Sequence, residues 1–301
     1  MNPLRPKSFD EIFTCVQNQT QWRGFETLNL IASENQMSRT ALTLMNNDFH
    51  HRYAEGLIGQ RAYQGQKFHD QIEQITIDIS QSLFHADFVD VRCPSATIAN
   101  LAIYYAFCKP GDLYYATKIP DGAHISYREV GAAGCRGLIV HDIPYDTDRF
   151  NIDIDALATL INQEKPKLLT LGGSVFLFPH PVKEIAKICQ ETQTILHYDA
   201  SHVLGLIAGH EFQDPLKEGA DCVIGSTHKT FPGPQGAIIL ANNALLKKKE
   251  KAFRKIQQKI FPGVVSNHHL WRLPALALTL LEMQEFGTDY AHQTILNAKS
   301  L

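Results

Sequence analysis

A chain of 301 residues that is 44% hydrophobic and 20% charged, with 19 glycines and 14 prolines, has the makeup of an ordinary folded protein, which excludes disordered and fibrous classes. Its formal net charge of −3 gives no electrostatic case for binding nucleic acid or an acidic membrane surface. The length suits one large core, or a large core with a small appendage, because single cores stop growing at roughly 250–300 residues.

In chain order, Ser8-Phe9-Asp10-Glu11 reads as a capping box opening an amphipathic helix, and residues 1–30 are expected to form a helical arm. A cluster follows in His50-His51-Arg52-Tyr53-Ala54-Glu55-Gly56 and Arg61-Ala62-Tyr63, where Tyr, Glu and Arg crowd around glycine as in a functional loop, or as in a solvated turn. Seven short runs rich in β-branched and aromatic residues come next, at 88–93, 112–117, 137–141, 167–171, 194–199, 221–225 and 237–240. Helical patterns separate them at 98–108, 154–163 and 182–191. Strands alternating with helices predict a three-layer α/β/α fold around a mainly parallel mixed sheet. The interrupted basic run at 247–255 reads as the wet face of a helix. Residues 273–301 read as one long helix. The expected division is an arm at 1–30, a large domain at 31–285 and the end of the long helix at 286–301.

The six cysteines form no Cys-x-x-Cys pair, and the N-terminus lacks the charged-then-apolar layout of a signal peptide, so a reducing, cytoplasmic setting is expected. No apolar run reaches the roughly 20 residues needed to span a bilayer, so no membrane partner is expected.

In sheets of this type ligands bind beyond the carboxyl ends of the strands. Three such ends are polar: Asp199 with His202 close behind, Ser226-Thr227-His228-Lys229, and Ser95-Ala96-Thr97. A cofactor used as an electron sink needs an amine for its aldehyde, an acid for its ring nitrogen and an anion site for its phosphate. Lys229, Asp199 and the Ser95 turn supply these in order, the turn because free N–H groups at a helix start attract a phosphate. Plainer readings stand beside this one: a surface lysine, and helix caps for Asp199 and Ser95. A competing metal reading takes His197, Asp199 and His202 as ligands, completed by His50-His51 or His268-His269; the cofactor reading needs no metal.

The residues then match a family. Leu30-Ile31-Ala32-Ser33-Glu34-Asn35, Arg52-Tyr53-Ala54-Glu55-Gly56 with Gly59, Pro120-Asp121-Gly122-Ala123-His124, Gly173-Ser174, Tyr198-Asp199-Ala200-Ser201-His202, and Ser226-Thr227-His228-Lys229-Thr230 with Gly233-Pro234 occur in family order from about residue 25 onward. The chain resembles serine hydroxymethyltransferase, of the aspartate-aminotransferase-like, fold type I class of pyridoxal-phosphate enzymes. The resemblance implies that Lys229 holds pyridoxal 5′-phosphate as a Schiff base, Asp199 pairs with the ring nitrogen, and His202 and Ser174 lie near the ring hydroxyl. It implies that His124 stacks on the ring and that Ser95, Ala96, Thr97 and His228 surround the phosphate. Glu55 becomes the acid–base at the substrate hydroxyl, with Tyr53, Tyr63 and Ser33 at the substrate, partly from a neighbouring subunit of a homodimer. Ile119 and Ile125 flank His124 where the family seats the pterin of tetrahydrofolate. The implied reaction transfers the serine hydroxymethyl group to tetrahydrofolate, leaving glycine.

The chain also departs from the family. Ala96 stands where glycine is usual, Ala62-Tyr63 replaces paired tyrosines, and Gln235 replaces an arginine. Phe261-Pro262-Gly263-Val264-Val265-Ser266-Asn267 replaces a glycine-rich run that reaches the partner's cofactor phosphate, and branched residues restrict close backbone approach. The resemblance further implies a small C-terminal domain beyond a helix like 273–301, carrying the arginine for the substrate carboxylate; a separate chain is the expected source. Arg52, Arg61 and Arg136 are the internal candidates for that charge. The alternatives are a non-catalytic homologue that binds the cofactor or only dimerises, and a threonine or serine aldolase that needs no folate.

Overall fold

Residues 8–301 are described by the computed structural model; residues 1–7 of the expected arm lie outside the described residues. Seven strands form the main sheet: β1 (Phe88–Asp90), β2 (Leu113–Ala116), β3 (Ile139–Asp142), β4 (Leu168–Gly172), β5 (Ile195–Asp199), β6 (Cys222–Ser226) and β7 (Ala237–Ala241). Their spatial order is β1-β7-β6-β5-β4-β2-β3, and only β7 runs against its neighbours. All seven expected strands are present, in a mainly parallel mixed sheet.

Alternation along these strands explains why both faces are covered. Val89, Tyr115, Leu169, Leu171, Leu196, Tyr198, Val223 and Leu240 point to one core, while Phe88, Tyr114, Leu168, Ile195, Ile224 and Ile239 point to the other. The principal helices are α1 (Phe9–Gln21), α2 (Lys67–Phe84), α3 (Ala96–Phe107), α4 (Ile154–Glu164), α5 (Val182–Thr192) and α6 (Leu273–Ser300). The first core is closed by α2, α4, α5 and α6, the second by α3 and the short helix Ala252–Gln258. The result is three layers, α/β/α.

The capping box forms as expected: Ser8 accepts from the Glu11 N–H at 3.4 Å, opening α1. No residue of α1 is buried, and its apolar stripe of Phe9, Ile12, Phe13 and Val16 is exposed. The first strand ends at Asp90, short of the expected Cys93. Beyond it Arg92 folds back onto Asp90 at 2.6 Å, and the carbonyls of Val91 and Cys93 accept from the buried Arg272. The basic run is corrected: it splits between two short helices, Ala244–Lys248 and Ala252–Gln258, and Lys248 is drawn in to pair with buried Asp221 at 2.7 Å.

Helix α2 was not anticipated. Its inward face is His69, Glu73, Thr76, Ser80, Leu83 and Phe84, so polar residues occupy most of the buried stripe and hide its period. Glu73, Thr76 and Ser80 are satisfied locally, and the His69 ring packs edge to face against Phe49. Thr76 and Ser80 donate to carbonyls one turn back, at 2.7 Å each, and Glu73 accepts from buried Arg61 at 2.5 Å and meets His268 at 3.1 Å. Burial alone would raise the Glu73 carboxyl, but His268 and Arg61 hold it below the ordinary value of 4.5. Its stabilisation is therefore complete above that value and is lost as pH falls through the lower folded one. Glu73→Gln, which leaves Arg61 short of a counter-charge, is expected to cost about 1.5–3 kcal/mol in urea denaturation at neutral pH, with a smaller difference in acid.

Candidate functional site

The carboxyl ends of β4, β5 and β6 and the start of α3 surround a cavity of about 150 Å³. Each wall follows from local structure. Strand β5 ends at Asp199, whose side chain turns into the site with one oxygen accepting from the Ser201 N–H and the other from Asn100 Nδ2, both at 2.9 Å. Gly172, which ends β4 beside Asp199, has φ of +90°, and a side chain there would collide with the Asp199 carbonyl. Strand β6 runs into a tight turn in which Thr227 donates to Pro234 O at 2.6 Å and accepts at its carbonyl from the Gly233 N–H at 2.8 Å. That turn sets Lys229 and His228 at the cavity wall. Ser95 caps α3 by accepting from the Ile98 N–H at 3.4 Å, and Ala96 and Thr97 in the first turn line the cavity.

The site is electrostatically tuned. Burial lowers the pKa of Lys229 from its ordinary 10.5, against the opposing pull of Asp199. A larger share of neutral, nucleophilic amine results. Burial and then the Lys229 charge depress His202 to about 4. His124 and His228 are lowered as well, first by burial. Burial pushes the Tyr127 phenol well up, with the Asp199 charge adding to it. The histidines here therefore meet a ligand as neutral rings. In an NMR titration His202, identified by loss of its signals in His202→Asn, is expected to stay uncharged down to about pH 4. A midpoint near 6.5 would show that the cavity is open to water.

Of the residues singled out in the sequence, Ser95, Ala96, Thr97, His124, Asp199, His202, His228 and Lys229 line this one cavity. His124 Nδ1 lies 2.8 Å from the Ser126 hydroxyl. Ser174 is adjacent rather than lining; its N–H donates to Gly122 O at 2.8 Å and Gly173 takes the wall position. Ser33 lies in a neighbouring groove that also reaches His228. Tyr53 and Tyr63 line a different groove, their rings edge to face at 6.1 Å. Glu55 accepts there from Tyr63 at 3.4 Å and Ser266 at 3.2 Å. The 261–267 stretch supports that loop: Val264 and Val265 pack on the second core, and Asn267 accepts from the Ala54 N–H at 3.0 Å.

None of the three arginine candidates lines the Lys229 cavity. Arg52 pairs with Asp48 at 2.7 Å, Arg61 is committed to Asp70 and Glu73, and Arg136 donates to the carbonyl of Cys108 and lies over the Tyr105 ring. For the metal reading, His197 is fully buried beside Thr170 at 3.1 Å, and among the described residues no group of three His, Cys, Asp or Glu side chains is arranged to hold a metal ion. Sequence reasoning missed Ser126 and Tyr127 on the cavity wall and Asn100 behind it, and named Ser201 and Ser226 without giving them a role. Asn100 had a signal: an amide in the middle of an otherwise apolar helix.

The donor set fits pyridoxal phosphate. It offers an amine for an aldehyde, a carboxylate with acceptor capacity left for a ring N–H, and helix-terminal N–H groups for a phosphate.

Comparison with known proteins agrees with this chemistry. The sequence pattern of the serine hydroxymethyltransferase family matches residues 6–301. The chain is 52% identical to a serine hydroxymethyltransferase of Methanosphaera stadtmanae over 91% of its own length and 64% of that protein's. It is 51% identical to one of Methanocaldococcus jannaschii over 94% and 64%, and 47% identical to one of Thermococcus gammatolerans over 97% and 67%. The chain thus spans about 64% of the first two of these relatives.

Proposed function

The chain belongs to the serine hydroxymethyltransferase family, and on that premise we propose that it is a pyridoxal-phosphate-dependent transferase acting between serine, glycine and tetrahydrofolate in the cytoplasm. The observation that carries this reading is the convergence of Lys229, Asp199 and the start of α3 on one cavity.

In this reading Lys229 holds the cofactor covalently through an amine that burial keeps nucleophilic. Asp199, fixed by Asn100 and Ser201, faces the ring nitrogen and favours its protonated form. His124 lies against the ring, while Ser95, Ala96, Thr97 and His228 receive the phosphate and His202 and Ser174 lie toward the ring hydroxyl. Bound there, pyridoxal phosphate supplies an electron sink for the pair left when the substrate's carbon–carbon bond breaks. The exposed Ile119 and Ile125 offer an apolar edge to the pterin of tetrahydrofolate. Ser33 and the Tyr53, Glu55 and Tyr63 loop act on the substrate, with Glu55 moving the proton of its hydroxyl.

Because that loop lies apart from the chain's own Lys229 cavity, we place it at the cavity of a second copy in a homodimer. The exposed apolar stripe of α1 supports an interface between copies. Mixing experiments test this. Lys229→Ala and Glu55→Gln chains are each expected to be inactive. Hybrids formed by unfolding and refolding them together should regain about a quarter of normal activity, since half the dimers then hold one intact site of two. No recovery would contradict a shared site.

The reaction is tested with serine labelled in its hydroxymethyl carbon. Label transferred to tetrahydrofolate supports the proposal. Threonine cleavage without folate dependence would favour an aldolase, and cofactor binding without turnover a non-catalytic homologue.

A further inference from the structure

Lys229 has four side-chain torsions, so the position of its amine depends on how firmly its backbone is held. Two remote segments hold it. Asn35 Nδ2 donates to the Lys229 carbonyl at 2.6 Å and to the Tyr290 hydroxyl at 2.7 Å. The Tyr290 hydroxyl in turn donates to the Thr230 carbonyl at 3.0 Å. The Thr230 hydroxyl ties the same turn to the His202 end of the site, donating to His202 O at 2.8 Å and accepting from the Gly205 N–H at 3.1 Å. Consecutive carbonyls beside the lysine are thus captured by a side chain from the stretch that follows the arm and by another from the middle of α6. Neither Asn35 nor Tyr290 lines the cavity.

We propose that Asn35 and Tyr290 are positioning residues for Lys229, forming a clamp that aims its amine into the cavity. The inference rests on the functional reading above and adds to it that α6 reports directly on the covalent lysine.

The test compares two ligands on the full chain. Pyridoxal phosphate reads the lysine as well as the phosphate cradle, whereas pyridoxine phosphate, which has no aldehyde, reads the cradle alone. Tyr290→Phe keeps the ring and removes only the bridging hydroxyl; Asn35→Ala removes the amide. Both are expected to weaken pyridoxal phosphate binding about tenfold, the scale of one or two lost hydrogen bonds, and to diminish the visible absorbance of the lysine-linked chromophore at saturating ligand. Pyridoxine phosphate affinity should stay within about twofold, as should both affinities in the exposed helix control Gln293→Ala. Equal weakening of both ligands would reduce Asn35 and Tyr290 to ordinary structural residues, and unchanged binding of both would remove the clamp; either overturns the inference alone. Failure of the wild-type chain to link pyridoxal phosphate at Lys229 would sink the functional reading and the clamp with it.

Discussion

Lys229→Ala is expected to abolish covalent cofactor capture and to lower hydroxymethyl transfer by at least about a thousandfold, because among the described residues no other amine lines the cavity to take over nucleophilic attachment. The other groups of the cavity wall that could bind through nitrogen are imidazoles, and these cannot form the same linkage. The loss should not come from unfolding. Burial depresses the Lys229 pKa, so the folded protein disfavours the charged form, and removing the ammonium relieves that cost. The turn itself is fastened through the Lys229 and Thr230 carbonyls, which alanine retains. Thermal denaturation of the variant should therefore show a midpoint no lower than that of the parent. Activity within tenfold of the parent, measured on protein free of wild-type contamination, would remove Lys229 from the chemistry.

Asp199→Asn is expected to reduce turnover about a hundred- to a thousandfold while leaving the cofactor attached. A carboxylate and a protonated ring nitrogen form a buried charge pair, and neutralising one member of such a pair costs about 3–5 kcal/mol. Asparagine has nearly the same shape but offers one acceptor oxygen where Asp199 now serves two donors, the Ser201 N–H and Asn100 Nδ2. One of those buried donors loses its partner, which adds a stability cost of about 1–3 kcal/mol that a urea titration of the cofactor-free protein would report. The visible spectrum of the loaded variant should change with the ring's protonation state. Turnover within tenfold of the parent and an unchanged spectrum would show that Asp199 does not face the ring nitrogen.

The fold was legible in the sequence wherever burial followed hydrophobic period. All seven strands were, because β-branched and aromatic runs lie buried in the sheet and end in polar residues. Helix α2 was not, since His69, Glu73, Thr76 and Ser80 occupy its inward face, the last three taking their hydrogen bonds from the helix itself, Arg61 or His268 and His69 packing on Phe49. Lys248 was misjudged for a related reason: a single buried acid, Asp221, draws one lysine inward from a run that otherwise faces water. In the site, Lys229, Asp199 and the Ser95 turn could be read from strand ends alone, since topology brings the carboxyl ends of a parallel sheet together. The separation of Glu55, Tyr53 and Tyr63 from that cavity could not, because it depends on how the 52–63 loop lies over Arg61 and Asn267 rather than on residue type. The Asn35 and Tyr290 clamp was equally hidden, joining positions 194 and 255 residues apart.

The central claim is that the amine of Lys229 carries the cofactor. Incubation of the purified chain with pyridoxal phosphate, reduction with borohydride and peptide mapping tests it directly. One pyridoxyl group on the peptide containing Lys229, and none in Lys229→Ala, is the expected result. No stable label, or label spread over exposed lysines such as Lys118 and Lys251 with Lys229 unmodified, would contradict it.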